Sequence, residues 1–166
     1  KCATELMESP GHWLIFSHCY NMDGRAASQL IKPRVEELTK RGIKCSVISA
    51  PNGAWDPNVF KHKRVFSLFP AGLKFELRHW IRREVQSKVL QRIFLLFNSI
   101  ILSPFAVIER ILIPLESQWS WFFGAFASGI SSVFINRNSI NLLYSTGGPV
   151  GGHLAGILLS KVFRIP

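Results

Sequence analysis

The chain has few cysteines and no cysteine motif that ligates a metal. Its three cysteines, Cys2, Cys19 and Cys45, are an odd number and include no C-x-x-C pair. The five histidines do not stand at zinc-ligand spacings from them, so we expect no metal site. Because disulfides are rare in the cytoplasm, the simplest explanation is that these are reduced thiols of a cytoplasmic protein.

Acidic residues are also scarce. The sequence contains 20 lysines and arginines against 10 acidic residues, a formal net charge of +10. This excess indicates an anionic partner: nucleic acid, an acidic membrane face or a phosphorylated substrate. Nucleic acid is not expected, because the basic residues are not interleaved with aromatic residues as in known nucleic-acid-binding modules. A hydrophobic content of 48% argues against a disordered chain.

The middle of the chain lacks an apolar run of membrane-spanning length. The charge-free run Ile93–Ile108 has 16 residues, whereas a spanning helix needs about 20, so we expect that it does not cross a membrane. The preceding segment, Phe75–Arg92, is predicted to be one helix, and with Lys74 just before it the segment has six cations and two acids. With Trp80 it suits an anionic bilayer surface. The alternative is an ordinary amphipathic helix with a solvated cationic face, followed by residues 93–108 in the core.

Apolar runs and helical stripes alternate along the rest of the chain. Strands are predicted at Trp13–Ser17, Lys44–Ser49, Arg64–Phe69 and Ile140–Tyr144. Helices are predicted from Ala26 to about Gly42, over Gln118–Ile135 and over Val150–Phe163. The pattern predicts an α/β fold with a Rossmann-like open parallel sheet flanked by helices. We expect a single domain over residues 1–166 with a helical insertion at about 73–115, and we expect the chain to be a fragment.

The most informative motif is a glycine turn between the last strand and the last helix. It runs from Ser145 to His153 and contains Gly147, Gly148, Gly151 and Gly152. Glycine lets backbone approach backbone or a ligand closely, and the N-terminus of the following helix favours an anion. The spacing is neither that of a dinucleotide-binding loop nor that of a P-loop. A phosphate site and a tight turn without a ligand both stay open.

Two loops are expected to meet at the carboxyl edge of the sheet, where open parallel sheets bind ligands. They are residues 18–25, after the first strand, and residues 145–153. The predicted substrate-binding residues are Asn21, Gly24, Arg25, Ser145, Thr146, Gly147 and Gly148. The predicted catalytic residues are Asp23, as a base or an acceptor for a sugar hydroxyl, and His153, as a donor to a phosphate or hydroxyl. The alternatives are that Asp23 caps the helix that begins near Arg25 and that His153 is a surface or capping residue.

A cluster of aromatic residues precedes the glycine turn. Trp119, Trp121, Phe122 and Phe123 lie together at the start of a predicted helix. They offer a platform on which a sugar could stack. Packing of the helix against the core is the favoured interpretation, because large aromatic side chains are mostly buried.

These motifs resemble the amino-terminal domain of family-4-like GT-B glycosyltransferases. The resemblance rests on the Ser145-Thr-Gly-Gly-Pro149 turn, the His153-Leu154 pair and the Leu-Leu-x-Lys-x-x-x-Ile-Pro pattern of residues 158–166. The Asp23-Gly24-Arg25-Ala-Ala-Ser28 loop and the helix end at Lys40-Arg-Gly42 also match. Both ends of the chain are covered, whereas residues 51–115 match only weakly.

The resemblance implies one half of a GT-B fold, the Rossmann-like half that chiefly binds the acceptor. It implies transfer of a hexosyl group from a nucleotide-sugar to a glycan or lipid-linked acceptor, without a metal or other cofactor. The loop around Gly24 would lie near the donor phosphates. A carboxyl-terminal donor domain would follow Pro166, and the fragment would be inactive without it. The location would be cytoplasmic, peripheral on the inner face of the membrane.

Two other functions stay open at this point. One is a basic domain that binds a membrane surface or acts as a scaffold without catalysis. The other is a different nucleotide-using α/β enzyme, such as an epimerase.

Overall fold

The computed structural model describes residues 11–136, 139–146 and 148–166. Within these ranges the strands are β1 (His12–Phe16), β2 (Lys44–Ser49), β3 (Lys61–Arg64) and β4 (Ile140–Ser145). The helices are α1 (Ala26–Lys40), α2 (Pro70–Glu84), α3 (Lys88–Leu112), α4 (Trp121–Ile135) and α5 (Val150–Phe163).

The four strands form one parallel sheet in the order β3-β2-β1-β4. At its carboxyl edge, Phe16 of β1 lies beside Ile48 of β2 and Ser145 of β4. Leu14, Ile15 and Phe16 are completely buried, as expected for a central parallel strand covered on both faces. The α/β fold with a Rossmann-like open parallel sheet, predicted from the alternation of strands and helices, is therefore confirmed.

Helices cover both faces of the sheet with separate apolar layers. On one face, Phe16 packs with Trp121 of α4 and Leu159 of α5. On the other face, Ile15 packs with Ile31 and Val35 of α1. Alternate residues of β1 thus point into different layers, which follows from the two-residue repeat of a strand.

The third strand lies earlier in the chain than the apolar pattern predicted. The expected strand was Arg64–Phe69, but β3 covers Lys61–Arg64 and pairs with Ser46–Ser49 of β2. Its inward position is taken by His62, which is 4% exposed and hydrogen-bonded to Ser49 Oγ at 2.9 Å. A buried, hydrogen-bonded histidine therefore occupies the inward position of β3, where the predicted hydrophobic run would have an apolar residue.

The single helix predicted over Phe75–Arg92 is wrong. The helical region is a hairpin in which α2 ends at Glu84 and α3 begins at Lys88. Two hydrogen bonds show that the helices run antiparallel. Asn98 Nδ2 donates to the Lys74 carbonyl oxygen, and Gln91 Nε2 donates to the Arg82 carbonyl oxygen. This hairpin occupies most of the predicted helical insertion at 73–115.

The alternative in which residues 93–108 lie in the core is also wrong. In α3 the buried residues are Ala106 and Glu109, and most of its apolar side chains are exposed. The argument that the segment is too short to span a bilayer fails as well, since α3 has 25 residues. Within the described part of the chain, one helix, α3, is long and apolar enough to cross a membrane, by length and composition.

Trp121 and Phe122, two members of the aromatic cluster, pack in the core. The Trp121 side chain is completely buried, and its Nε1–H donates to the Val65 carbonyl oxygen at 3.0 Å. Phe122 packs against the same core layer. Core packing of α4 is therefore the correct interpretation for these two residues, while Trp119 is half-buried.

Candidate functional site

The loops that follow β1 and β4 meet at the carboxyl edge of the sheet, as the sequence predicted. The Thr146 N–H donates to the Phe16 carbonyl oxygen at 3.0 Å, which holds the start of the glycine turn beside the end of β1. Gly148 has φ +109, a conformation that L side chains rarely adopt, and a Cβ built on it would lie 3.9 Å from the His18 Cβ. Gly147 lies outside the described residues.

A buried histidine–carboxylate pair lies beneath this junction. His18 follows β1, and its Nε2 lies 3.0 Å from Glu76 Oε1 of α2, with side chains 1% and 0% exposed. The Glu76 carboxylate also accepts hydrogen bonds from the Ser67 N–H and Ser67 Oγ–H, each at 2.6 Å. One carboxylate therefore joins α2 to the ends of both β1 and β3.

The contacts of the pair favour the protonated form of His18. Burial lowers the pKa of His18, but its contacts with Cys19 and Glu76 raise the pKa by more, so the net shift is upward from 6.5. On the other side of the ring, Nδ1 lies 3.3 Å from Asn52 Nδ2 and 3.5 Å from Cys19 Sγ. The Asn52 Oδ1 is buried without a partner among the described atoms. Rotating this amide would let Oδ1 accept from a protonated Nδ1, which fits a charged imidazolium.

The exposed rim above the pair is electropositive. The Arg25 guanidinium lies 5.4 Å from the centre of the Phe75 ring, and that ring lies 4.6 Å from the His79 ring. Burial and the positive charges of Arg25, Arg78 and Arg82 lower the pKa of His79. Cations thus converge on the edge where the two loops meet, which favours an anionic ligand there.

Asn21 has a structural task at this edge. Its Nδ2 donates to the Ala54 carbonyl oxygen at 3.1 Å, and its Oδ1 accepts from Lys32 Nζ at 2.9 Å. Its φ is +52. The side chain that was predicted to bind substrate is therefore engaged in holding the residue 18–25 loop against the loop after β2.

Asp23 and Gly24 are exposed and line a groove of about 300 Å³ together with Lys32. The alternative that Asp23 caps α1 is wrong, because the N-cap is Arg25 and no side chain caps the helix. Instead, Ser28 Oγ accepts from the Met22 N–H at 2.9 Å and fixes the turn. The Asp23 carboxylate is consequently available to a ligand.

His153 is placed beside Ser145, not beside Asp23. Its Nδ1 lies 2.9 Å from Ser145 Oγ, and both residues are half-buried, as is Thr146. Within the part of the chain that the structure describes, no hydrogen bond joins His153 to Asp23. The two predicted catalytic residues thus do not form a hydrogen-bonded pair.

The remaining glycines of the turn serve packing. A Cβ on Gly151 would lie 2.7 Å from the Trp119 carbonyl oxygen, and one on Gly152 would lie 3.1 Å from Trp121 Cζ3. The first N–H of α5, that of Val150, donates to the Glu116 carboxylate. Close packing thus accounts for two of the glycines, and a protein carboxylate already occupies the start of the helix.

The buried residues of this edge were missed by sequence reasoning. His18 appeared only as part of a polar loop, although its position directly after β1 was a usable signal. Glu76 lies in a segment whose charges are expected to form a solvated helix face. No sequence signal links Ser67 or Asn52 to His18, because their contacts depend on how α2 and the loops pack.

No known family, curated protein or solved structure matched this chain in the comparisons. Among residues 11–136, 139–146 and 148–166, no three histidine, cysteine or acidic side chains gather as a metal-ligand group. Cys19 and Cys45 are unpaired within these ranges, and Cys2 lies outside them. The class that the fold defines is an α/β domain with a Rossmann-like open sheet.

Proposed function

We propose that this chain is the acceptor-side domain of a glycosyltransferase that moves a hexosyl group from a nucleotide-sugar to a glycan or lipid-linked acceptor. The observation that carries the proposal is the junction of the loops after β1 and β4 beneath a cationic rim. Open parallel sheets bind ligands at such a junction. The sequence resemblance around Gly24 and Ser145–Pro149 supplies the reaction class.

Arg25 is the residue we expect to act on the donor phosphates. Its guanidinium is exposed and is oriented by the Phe75 ring, so it is held near the edge without a buried partner. A positioned cation stabilises the negative charge that develops on the leaving phosphate. The exposed Asp23 carboxylate would accept a hydrogen bond from an acceptor hydroxyl and orient it.

The His18–Glu76 pair has a positioning role in this proposal. Its atoms are buried beneath the rim, so they do not reach a ligand directly. The pair fixes the end of β1 to α2, which carries Phe75 and hence the platform for Arg25. We therefore expect substitutions of the pair to alter the geometry of the rim.

The test is release of nucleoside diphosphate from a panel of nucleotide-sugars by the intact protein, with a membrane extract as the source of acceptor. Arg25→Ala should lower kcat/KM by at least about tenfold, which corresponds to about 1.4 kcal/mol of transition-state stabilisation. Arg41→Ala is the matched control, since Arg41 is exposed and lies at the opposite end of α1. Equal losses in both variants, or no release from any donor, would contradict the proposal.

Gly148→Val tests the glycine turn in the same assay. The φ of +109 at Gly148 is strained for valine, so we expect lower turnover with an unchanged circular dichroism spectrum. Unchanged kinetics would remove this glycine from the site. The scaffold alternative predicts no nucleoside diphosphate release at all, with membrane binding intact.

A further inference from the structure

Three polar side chains of α3, Asn98, Ser103 and Glu109, bond to α2, whereas most of its apolar side chains face outwards. Asn98 Nδ2 donates to the Lys74 carbonyl oxygen at 3.1 Å, and Ser103 Oγ accepts from Lys74 Nζ at 2.7 Å. The Glu109 carboxylate accepts from the Ala71 N–H at the start of α2, at 2.7 Å. A helix that packs on a protein in water shows the opposite arrangement. The pattern therefore indicates apolar surroundings on the far side of α3.

We call the exposed apolar side chains between Val89 and Leu112 the outer face of α3. Each is between 42% and 75% exposed. Its centre is formed by Phe94, Phe97, Ile100, Ile101, Phe105 and Ile108. Soluble monomers rarely expose a continuous apolar patch of this kind, and such patches mark a protein or membrane contact.

Cations frame the outer face. Lys88 and Arg92 stand at the start of α3 and Arg110 near its end, and all three are exposed. On the neighbouring α2, Arg78 and Arg82 are also exposed. Apolar side chains flanked by lysine and arginine are the composition of helices that lie in an anionic lipid interface.

The acids of the hairpin do not offset these cations at the surface. Glu76 and Glu109 are buried and hydrogen-bonded within the protein. The exposed Glu84 is paired with Arg83 and Arg64. A second copy of the chain would bring the same cations to the contact, whereas an anionic bilayer complements them.

We propose that the outer face of α3 docks onto an anionic lipid bilayer, with the helix lying in the plane of the headgroups. Its 25 residues would measure about 37 Å at 1.5 Å per residue, enough to cross a core of about 30 Å. However, α2 packs along α3, so a crossing would carry Arg78 and Arg82 into the hydrocarbon, which is unfavourable. An in-plane hairpin leaves both arginines among the headgroups.

Co-sedimentation with vesicles tests the docking. The intact protein should bind vesicles of phosphatidylcholine with phosphatidylglycerol much more tightly than vesicles of phosphatidylcholine alone. Lys88→Gln and Arg92→Gln should each weaken binding about fivefold, the equivalent of the contribution of one cation near an anionic surface. Equal binding to both vesicles, or none, would overturn the proposal.

Matched apolar substitutions locate the contact. Ile100→Glu should reduce binding to the anionic vesicles by at least about tenfold, because a charge at the centre of the outer face must be kept out of the lipid. Leu30→Glu is the control, since Leu30 of α1 is similarly exposed, 64% for both residues. Both variants change exposed positions, so circular dichroism should show an unchanged fold. Equal losses in the two variants would refute a contact through α3.

Depth measurements distinguish docking from spanning. A fluorophore on Val89→Cys, Ile100→Cys or Ile111→Cys, in a cysteine-free background, should be quenched at the same shallow depth by brominated lipids. A deep middle position with shallow ends would show a spanning helix and overturn the in-plane proposal. A lipid-free dimer in which all three positions are protected would show that a second copy covers the face, and would overturn it too.

Discussion

Replacing Glu76 with alanine tests the buried pair that joins α2 to the sheet. The change removes the oxygens that accept from His18 Nε2–H and from both donors of Ser67. Because both members of the pair are buried, water does not replace the lost hydrogen bonds. Removing one partner of a buried ion pair costs about 3–5 kcal/mol, a large share of the 5–15 kcal/mol or so that holds an ordinary domain folded.

Glu76→Gln removes the charge of the Glu76 side chain and keeps its shape, so it measures the two contributions separately. The amide oxygen can still accept from the Ser67 N–H, but the charge that pairs with His18 is lost, so we expect a smaller cost of about 1.5–3 kcal/mol. The free energy of unfolding of both variants is measured in urea, with tryptophan fluorescence as the signal and the same mild detergent in every sample. Glu84→Ala on the same helix is the control, and as a partly exposed surface pair it should cost no more than about 1 kcal/mol.

The pH dependence gives the result that would refute the reasoning. The pKa of His18 in the folded protein is raised above 6.5, since the contacts with Cys19 and Glu76 outweigh burial. The stabilisation is therefore fully present below about pH 6.5 and is lost as the pH rises through the folded pKa. Wild type should exceed Glu76→Gln in stability by more at about pH 6 than at about pH 9. A difference that is constant, or that grows with pH, would refute a charged His18.

Other predictions follow from buried groups elsewhere in the fold. Burial is the main reason that the pKa of His62 falls to about 4. The NMR resonances of His62 should therefore titrate near pH 4, and the stability of the fold should decline as the pH drops from 6.5. Titration near pH 6.5 would contradict this. Tyr20→Phe removes a 2.7 Å hydrogen bond to the buried Asp56 carboxylate and should cost about 1–3 kcal/mol in urea unfolding. Gly53→Ala places a Cβ 1.9 Å from the Tyr20 carbonyl oxygen and should cost about 3 kcal/mol, whereas Gly24→Ala meets no atom within 4 Å and should cost only about 1–2 kcal/mol of backbone strain.

The strands that sequence reasoning placed well are those with a continuous apolar run. Trp13–Ser17 and Lys44–Ser49 matched β1 and β2 closely, because a central parallel strand must be apolar on both faces. The edge strand β3 was misplaced because its inward residue, His62, is polar and satisfied by hydrogen bonds. Apolar content therefore predicts strands with a continuous apolar run, including the edge strand β4, better than a strand whose inward residue is polar.

The loops of the candidate site were predictable, and the buried groups beneath them were not. The meeting of the loop that follows β1 and the glycine turn at one edge follows from parallel strands ending on the same side. The pairing of His18 with Glu76 depends on the packing of α2 across that edge. In sequence, a glutamate in a basic helix is normally solvated, and no local pattern separates Glu76 from Glu84.

The buried pair also bears on the charge of the surface. The formal charge of +10 assumes neutral histidines and counts every acid as balancing a cation. With a protonated His18, the Glu76 charge is neutralised inside the protein, and Glu109 is held by hydrogen bonds to Ala71 and Trp119. A proton on His18 thus adds one positive charge to the formal +10, which makes the protein slightly more cationic than composition alone indicates. Glu76→Ala should therefore act on the rim through geometry, because it frees α2, which carries the Phe75 ring beneath Arg25, from the end of β1. Binding at the rim should then weaken even where the protein stays folded.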